Sequence, residues 1–169
     1  MSKKVIYILV ATIVLMVFGV YFMSQGKNTV VDSALAKVEV KDAQILPETY
    51  DIGKVLMKNG IVTREYQIKN NSQNVLRIKN IVTSCMCTKA QVVLGNRMTR
   101  RYGMEMAGAK NPNVNFDIPG NSTATLVVRF DPAAHGIQGV GPIDRSVYLT
   151  FLDPIGQKEV KFSGEVVLQ

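Results

Sequence analysis

The sequence is poor in the side chains from which enzymes most often build active sites. Its 169 residues include one histidine, His135, and two cysteines, Cys85 and Cys87. A nucleophile–histidine–acid arrangement would depend on His135, which precedes Gly136 in a stretch typical of an exposed loop. Glycine-rich phosphate loops, zinc-binding spacings and calcium-binding loops are also missing. We therefore expect a protein that is not an enzyme and that has no resident cofactor, copper being the one alternative discussed below.

Charged residues are absent from Val5 to Met23, which is an otherwise apolar run. As a helix rising about 1.5 Å per residue, it would be about 28 Å long, close to the roughly 30 Å hydrocarbon core of a bilayer. Lys3 and Lys4 precede it, and the positive-inside rule then places the N-terminus in the cytoplasm. The run predicts one membrane-spanning helix. The alternative is a signal peptide cleaved near Ala36, which lies far from the apolar run.

This segment divides the chain into four predicted regions. They are a cytoplasmic tail (1–4), a transmembrane helix (5–23), a polar linker (24–36) and an extracytoplasmic domain (37–169). The predicted location is the cell membrane, with a single span and the domain on the extracytoplasmic side. The domain keeps a formal charge of +5, since Lys3 and Lys4 account for two of the seven excess positive charges. Nucleic acid is a poor partner for such a domain, whereas anionic lipid, polysaccharide or an acidic protein would suit its charge. We expect a protein partner in the bacterial envelope.

The exported region alternates apolar and polar residues with a period of two and shows no sustained helical period. The alternating stretches are Val38–Lys41, Ile61–Ile68, Val75–Val82, Thr123–Phe130, Ser146–Phe151 and Val160–Val167. Turn-forming residues separate them, among them Lys58-Asn59-Gly60 and Pro119-Gly120-Asn121. Seven to eight short strands with this spacing predict an all-β fold, an immunoglobulin-like antiparallel β-sandwich.

Two segments interrupt the alternation and are predicted to be loops, Gly95–Asn115 and Ala133–Pro142. Loops as long as the first are usually functional or disordered. Its positive charges form a candidate partner-binding surface, the basic loop, made of Arg97, Arg100, Arg101 and Lys110. A solvated loop without a partner is the competing interpretation.

The two cysteines lie in Ser84-Cys85-Met86-Cys87-Thr88, directly after an alternating run. In an extended strand Cys85 and Cys87 would share one face, with Met86 on the other. Their Cα atoms would be about 6.6 Å apart, near the upper limit for a disulfide, so a bond would need a local kink. Burial of the thiols or a structural disulfide is favoured, because cysteine is among the most buried residue types.

Two further roles of the cysteine pair stay open, redox exchange and soft-metal binding. Two thiolates with nearby thioethers are the ligands that favour Cu(I). The candidate thioethers belong to Met86, Met98, Met104 and Met106. Against this, Met86 should point away from the cysteines, and Met104 and Met106 are also suited to filling a gap in the core.

Several motifs, taken in order, resemble those of a widespread bacterial family, domain of unknown function 1573. They are Tyr50-Asp51-Ile52-Gly53, Tyr66-Gln67-Ile68-Lys69-Asn70, Ser84-Cys85-Met86-Cys87-Thr88, Pro119-Gly120, Val128-Arg129-Phe130-Asp131-Pro132 and Gly164-Glu165-Val166. The resemblance implies an immunoglobulin-like sandwich akin to major sperm protein and pilus chaperones, and no assigned activity. The chain departs from the family at Met86, where the family has glycine, and in a longer connection between Thr88 and Phe116.

These observations predict a membrane-anchored extracytoplasmic domain that acts as a non-enzymatic interaction or scaffold module of the bacterial envelope. The alternative function is copper binding or thiol redox chemistry at Cys85 and Cys87.

Overall fold

A computed structural model describes Lys4, Thr12, residues 14–18 and residues 40–168. The chain divides into two units, residues 1–34 and residues 35–169. The described residues of the first unit are helical, and the described part of the chain contains no helix long and apolar enough to cross a membrane. The rest of the predicted tail, membrane span and linker, together with residues 37–39, lies outside the described residues. The membrane anchor therefore stays a prediction.

The described part of the second unit is built almost entirely from β-strands. Ten strands follow in chain order: β1 Ala43–Leu46, β2 Thr49–Leu56, β3 Val62–Asn70, β4 Leu76–Thr83, β5 Thr88–Leu94, β6 Arg97–Met98, β7 Phe116–Ile118, β8 Thr123–Phe130, β9 Gly141–Asp153 and β10 Ile155–Val167. Short 3₁₀ turns occupy Met57–Asn59 and Gly136–Gly139.

The strands form two five-stranded sheets. The first sheet has the order β1-β3-β8-β5-β6 and the second has the order β2-β10-β9-β4-β7. The predicted all-β sandwich of two sheets is confirmed. All pairings are antiparallel except that of β2 with β10, which is parallel. The strand number exceeds the predicted seven to eight, because the additional strands are short or carry weak alternation.

The core lies between the sheets and follows directly from the alternation. In β8, Ala124, Leu126, Val128 and Phe130 are buried, while the residues between them face outward. Such a strand can bury one face only, so the sequence pattern fixes which side meets the other sheet. The opposite sheet contributes buried residues in the same way, among them Ile78, Ile81, Val147, Leu149, Phe151, Val160 and Phe162. The rings of Phe130 and Phe162 meet across the interface with centroids 5.5 Å apart.

Tyr66 shows how a polar group is accommodated in this core. Its side chain is fully buried, and its hydroxyl donates a hydrogen bond of 2.9 Å to the Lys161 carbonyl oxygen of the opposite sheet. Burial raises the pKa of Tyr66 far above its ordinary value, and Tyr50, whose ring packs edge-on at 5.1 Å, adds to the shift. The hydroxyl therefore stays protonated and available as a donor.

The second sheet ends in the short strand β7, which an exposed ion pair ties to β4. Arg77 donates from Nε and Nη2 to the two carboxylate oxygens of Asp117, over 2.7 and 2.9 Å. These hydrogen bonds hold the pKa of Asp117 below its ordinary value. Arg77 and Asp117 stand directly opposite each other in the β4–β7 pairing.

The segment predicted as a long loop, Gly95–Asn115, is hydrogen-bonded to both sheets, first to β5 and then to β4. After β6 the chain continues beside β5, where Ala90 and Tyr102 exchange two backbone hydrogen bonds of 2.8 Å. Tyr102 is buried, and Asn111 donates to the carbonyl oxygens of Ile81 and Gly103. The prediction of a loop without strand pairing is therefore wrong for the part that lies beside β5.

Candidate functional site

The two cysteines lie in a tight turn between β4 and β5. The Thr88 amide donates to the Cys85 carbonyl oxygen over 3.1 Å, which closes a four-residue turn with Met86 and Cys87 at its centre. Thr83 supports the turn from β4, because its hydroxyl lies 2.9 Å from the Cys85 carbonyl oxygen and 3.1 Å from that of Thr88. The chain reverses direction at this point, so the two cysteines do not share the face of an extended strand.

Cys85 and Cys87 are joined by a disulfide bond. The turn brings their Cα atoms to 5.2 Å, well inside the range for a disulfide and shorter than the spacing of an extended strand. Met86 occupies the outer corner and is exposed. Among the described residues other than glycine, only Asn115 and Asn121 have positive φ, so Met86 needs no glycine-like conformation. A bulky residue is therefore tolerated where the similar family has glycine.

The register of β5 and β8 places the loop containing His135 beside this turn. Thr88 at the start of β5 pairs with Phe130 at the end of β8, because the strands are antiparallel. The turn before Thr88 and the loop after Phe130 therefore lie at the same end of the sheet. The Asp131 amide donates to the Cys87 carbonyl oxygen over 2.9 Å, which joins the two segments directly.

Asp131 also shapes the loop that carries the histidine. Its carboxylate accepts a 2.9 Å hydrogen bond from the Ala133 amide, and its carbonyl oxygen accepts one from Ala134. The resulting turn brings Nε2 of His135 to 3.2 Å from Sγ of Cys85. A disulfide sulfur has no proton, so the ring nitrogen is the donor in this contact. His135 is exposed, as predicted, but it belongs to the cysteine site.

Three ligand atoms therefore converge, namely the two sulfur atoms and a ring nitrogen of His135, all within 4.8 Å of one another. The sequence pattern indicated the cysteines as a candidate site but gave no indication that His135 belongs to it. The chain gives only a weak signal for it, because His135 lies 50 residues from Cys85 and meets it through strand pairing. The pairing of β5 with β8, had it been known, would have been enough to predict that His135 lies near Cys85.

A basic cluster, defined as Lys89, Arg101 and Arg129, lies next to the turn on the outer face of the first sheet. Lys89 and Arg129 stand directly opposite each other in the β5–β8 pair. Arg101 lies on the neighbouring segment, where its Nε donates 3.2 Å to the Gln91 side chain. Like charges opposite each other across a sheet are destabilising, so this arrangement costs free energy.

These side chains line a pocket of about 210 Å³ that Met86 and Cys87 share. Asp131 is the one acidic residue among its lining residues. The disulfide therefore borders a pocket with an excess of positive charge.

The basic loop predicted from the sequence is not a single surface. Arg101 joins the basic cluster, whereas Arg97 stacks over the ring of Phe116 at 4.8 Å and Arg100 stacks over Tyr102 at 5.9 Å. Lys110 is exposed beyond these contacts. Two of the four predicted residues thus cover aromatic rings.

The candidate thioethers are all at the surface. Met98 and Met106 are about two-thirds exposed, and Met104 is 38% exposed. Met104 and Met106 therefore do not fill a gap in the core.

A second candidate surface lies where the edge strand changes sheets. β1 pairs with β3 only from Gln67 to Asn70, and the chain then crosses at Pro47 to run as β2 along β10. In the described part of the chain, β2 pairs with β10 along one edge, and no strand pairs with its opposite edge. The edge of β3 that pairs with β1 is likewise unpaired before Gln67 among the described residues.

The crossing leaves an open groove of about 350 Å³, here called the edge groove. Its lining residues are Ile52, Lys54, Val55, Leu56, Asn59, Gly60, Ile61, Val62, Thr63 and Arg64. Ile61 is half exposed there.

Comparison with known families finds one match. The family described as "Protein of unknown function (DUF1573)" matches residues 44–95. The predicted resemblance is confirmed for this part of the chain, which includes the cysteine motif. The motifs from Pro119 onward lie outside the match. No curated protein matches the sequence.

Solved structures are similar in fold. A protein of unknown function from Porphyromonas gingivalis W83 matches 73% of this chain and 46% of its own, with 15% identity and a TM-score of 0.52. A family 123 glycoside hydrolase from Clostridium perfringens matches 72% of this chain and 23% of its own, with 9% identity and a TM-score of 0.51. The ASH/PapD-like domain of human CEP192 matches 85% of this chain and 99% of its own, with 11% identity and a TM-score of 0.45.

The chain thus spans less than half the length of the first two structures that it matches. At these identities the likeness concerns the fold alone. Over residues 44–95 the chain is similar to a family of unknown function, and its β-sandwich is similar to a domain-sized part of two larger bacterial proteins.

Proposed function

We propose that this chain is a membrane-anchored, extracytoplasmic, non-enzymatic interaction module of the bacterial envelope that binds an extended segment of a partner protein. The observation that supports it best is the edge groove between β2 and β3. Both strands have an edge there with which no described strand pairs, so backbone N–H and C=O groups are exposed. An extended peptide that adds a strand to this edge would pair with these groups.

The length of β2 fits this mode of binding. It contains eight residues, more than β1, β6 and β7, the other strands that end the two sheets. Short edge strands limit unwanted pairing, so a long open edge is unusual unless it has a use. Ile61 adds exposed apolar area at the same place.

Charge complementarity defines the partner further. The edge groove is lined by Lys54 and Arg64, and Lys58 is exposed in the adjoining turn. Nζ of Lys54 lies 3.7 Å from Oε2 of Glu165, but both side chains are exposed, so this ion pair contributes little to stability. The expected occupant is an extended segment with apolar side chains at alternate positions and at least one acidic residue.

The experiment uses a displayed library of random linear peptides, selected against the full chain. Peptides that alternate apolar residues with acidic ones should be enriched, and amide hydrogen exchange in β2 should slow when they bind. Ile61→Asp should weaken binding by about tenfold or more, as expected for loss of a central apolar contact.

Ile155→Asp is the matched control, because Ile155 is equally exposed but lies at the β9–β10 turn. It should bind the selected peptides as the unchanged protein does. Peptides that bind both variants equally and leave β2 exchange unchanged would show that the edge groove is not the binding site.

A further inference from the structure

We infer that the reduced form of this protein binds one Cu(I) ion through the sulfur atoms of Cys85 and Cys87 and Nε2 of His135, with the disulfide as the closed form of the site. None of the three proposed ligand residues lines the edge groove, although Ile61 lines both the groove and the pocket that Cys87 borders. Compared with the copper binding considered from the sequence, it adds His135 as a third ligand and requires that the disulfide be reduced before the ion binds.

The distances fit a metal centre after reduction. Ligand atoms about 2.0–2.3 Å from a metal ion are about 3.5–4 Å from one another. Nε2 of His135 is already 3.2 Å from Sγ of Cys85, and all three ligand atoms lie within 4.8 Å. Breaking the disulfide lets the sulfurs separate to metal-binding distance through side-chain rotation, without moving β4 or β5.

The scaffold holds the ligands in place in both states. The turn is closed by the Thr88-to-Cys85 backbone hydrogen bond and supported by the Thr83 hydroxyl, and neither contact involves sulfur. Asp131 joins this turn to the loop that carries His135, again through backbone atoms. The histidine therefore stays beside the cysteines when the disulfide opens.

The ligand set selects the ion. Two thiolates and an imidazole are soft to intermediate ligands, and Cu(I) accepts a trigonal set of this kind. A structural zinc site normally has four protein ligands, and no carboxylate among the described residues joins this group of three.

The surrounding charge favours the same conclusion. Two thiolates with one Cu(I) carry a net negative charge, and the basic cluster lines the pocket that Cys87 borders. Nearby Lys and Arg side chains stabilise thiolates and lower the cost of releasing their protons. The like charges of Lys89 and Arg129, which oppose each other across the sheet, gain an anionic neighbour when the site is filled.

The chemistry balances in two steps. A dithiol reductant transfers two electrons and two protons to the Cys85–Cys87 disulfide and becomes a disulfide itself. Cu(I) then replaces the two thiol protons, which are released to solvent. The His135 ring proton shifts from Nε2 to Nδ1 by exchange with solvent, so that Nε2 donates its lone pair to the ion.

The test is Cu(I) titration of the full chain in detergent without oxygen, against a coloured Cu(I) chelator. The dithiothreitol-reduced protein should take up one equivalent, and the oxidised protein should take up none. X-ray absorption should show two sulfur ligands and one nitrogen. His135→Ala should weaken binding by about tenfold or more and remove the nitrogen signal, since the loss of even an outer-shell partner of a metal ligand typically costs 10–100-fold in affinity.

Gln138→Ala is the matched control, because Gln138 is exposed in the same loop and is not a ligand. It should bind Cu(I) as the unchanged protein does. The oxidised protein serves as the ligand-free reference, so no variant lacking the disulfide is needed. The proposal is overturned if the reduced protein takes up no Cu(I), if the oxidised protein binds equally, or if His135→Ala leaves both affinity and absorption unchanged.

Discussion

At the scale of single residues, Asn70 shows what a short sequence motif does physically. It is buried at the end of β3, and its side-chain amide donates to the carbonyl oxygens of Asn74, Ile118 and Pro119 over 2.7–3.0 Å. Its Oδ1 accepts from the amide and the hydroxyl of Ser72. One buried side chain thus joins the β3–β4 connection to the end of β7, and its hydrogen bond to the Ile118 carbonyl oxygen is fully buried.

Asn70→Ala should lower the free energy of unfolding by about 2–3 kcal/mol, because a buried side chain loses a network of hydrogen bonds that includes the buried one to Ile118. Chemical denaturation followed by circular dichroism measures this. Asn71→Ala is the control: Asn71 is exposed, and the change there should stay within about 0.5 kcal/mol. Equal losses for the two variants would show that the hydrogen bonds of Asn70 contribute nothing net.

Met86 gives a second result at this scale. The glycine that the similar family has at this position would suggest a special backbone conformation. In this chain the turn contains Met86, whose side chain is exposed. Met86 therefore places an exposed side chain at the outer corner of the turn and needs no special backbone conformation there.

At the scale of elements, the packing of β2 on β10 depends on a glycine. Gly164 lies where the register of the two strands shifts, between Ser163 and Glu165. A Cβ atom added to Gly164 would lie 2.6 Å from Ile52 Cγ1 and 2.7 Å from the Gly53 carbonyl oxygen. The close approach explains why this position carries no side chain.

Gly164→Ala should destabilise the domain by about 1–3 kcal/mol, because the added methyl group forces β2 away from β10. Amide exchange in β2 should accelerate more than exchange in β8. Ser163→Ala is the control, since it adds no atom at the strand crossing. A Gly164→Ala protein with unchanged midpoint and β2 exchange would contradict the packing argument.

At the scale of the whole molecule, the predicted topology depends on the N-terminal sequence. Lys3 and Lys4 before the uncharged run should keep the N-terminus in the cytoplasm. Alkaline phosphatase fused after Gln169 should be active, since it folds outside the cytoplasm, and β-galactosidase fused at the same place should be inactive.

The full-length mass should also be retained in the membrane fraction. A soluble form that begins near Lys37 would show instead that the chain is cleaved after Ala36.

The sequence determined the class of fold and much of the core. Period-two alternation identified β8 with its bounds and the central parts of β3, β4, β9 and β10, because a strand with one buried face must alternate. It was silent on β1, and it did not identify β2, whose alternation is interrupted by Asp51 and Gly53. The cysteine pair stood out as a site from its composition alone.

Only the tertiary structure decided which strands pair. The strand pairing in turn decided which residues come together at the cysteine site and at the edge groove. The pairing of β5 with β8 brings His135 to Cys85 and opposes Lys89 to Arg129, and the transfer of the edge strand from β1 to β2 opens the edge groove. Alternation specifies which face of a strand is buried, but it carries no information on which strand lies beside it. Contacts between residues far apart in the chain depend on that choice, and the packing of the two sheets makes it.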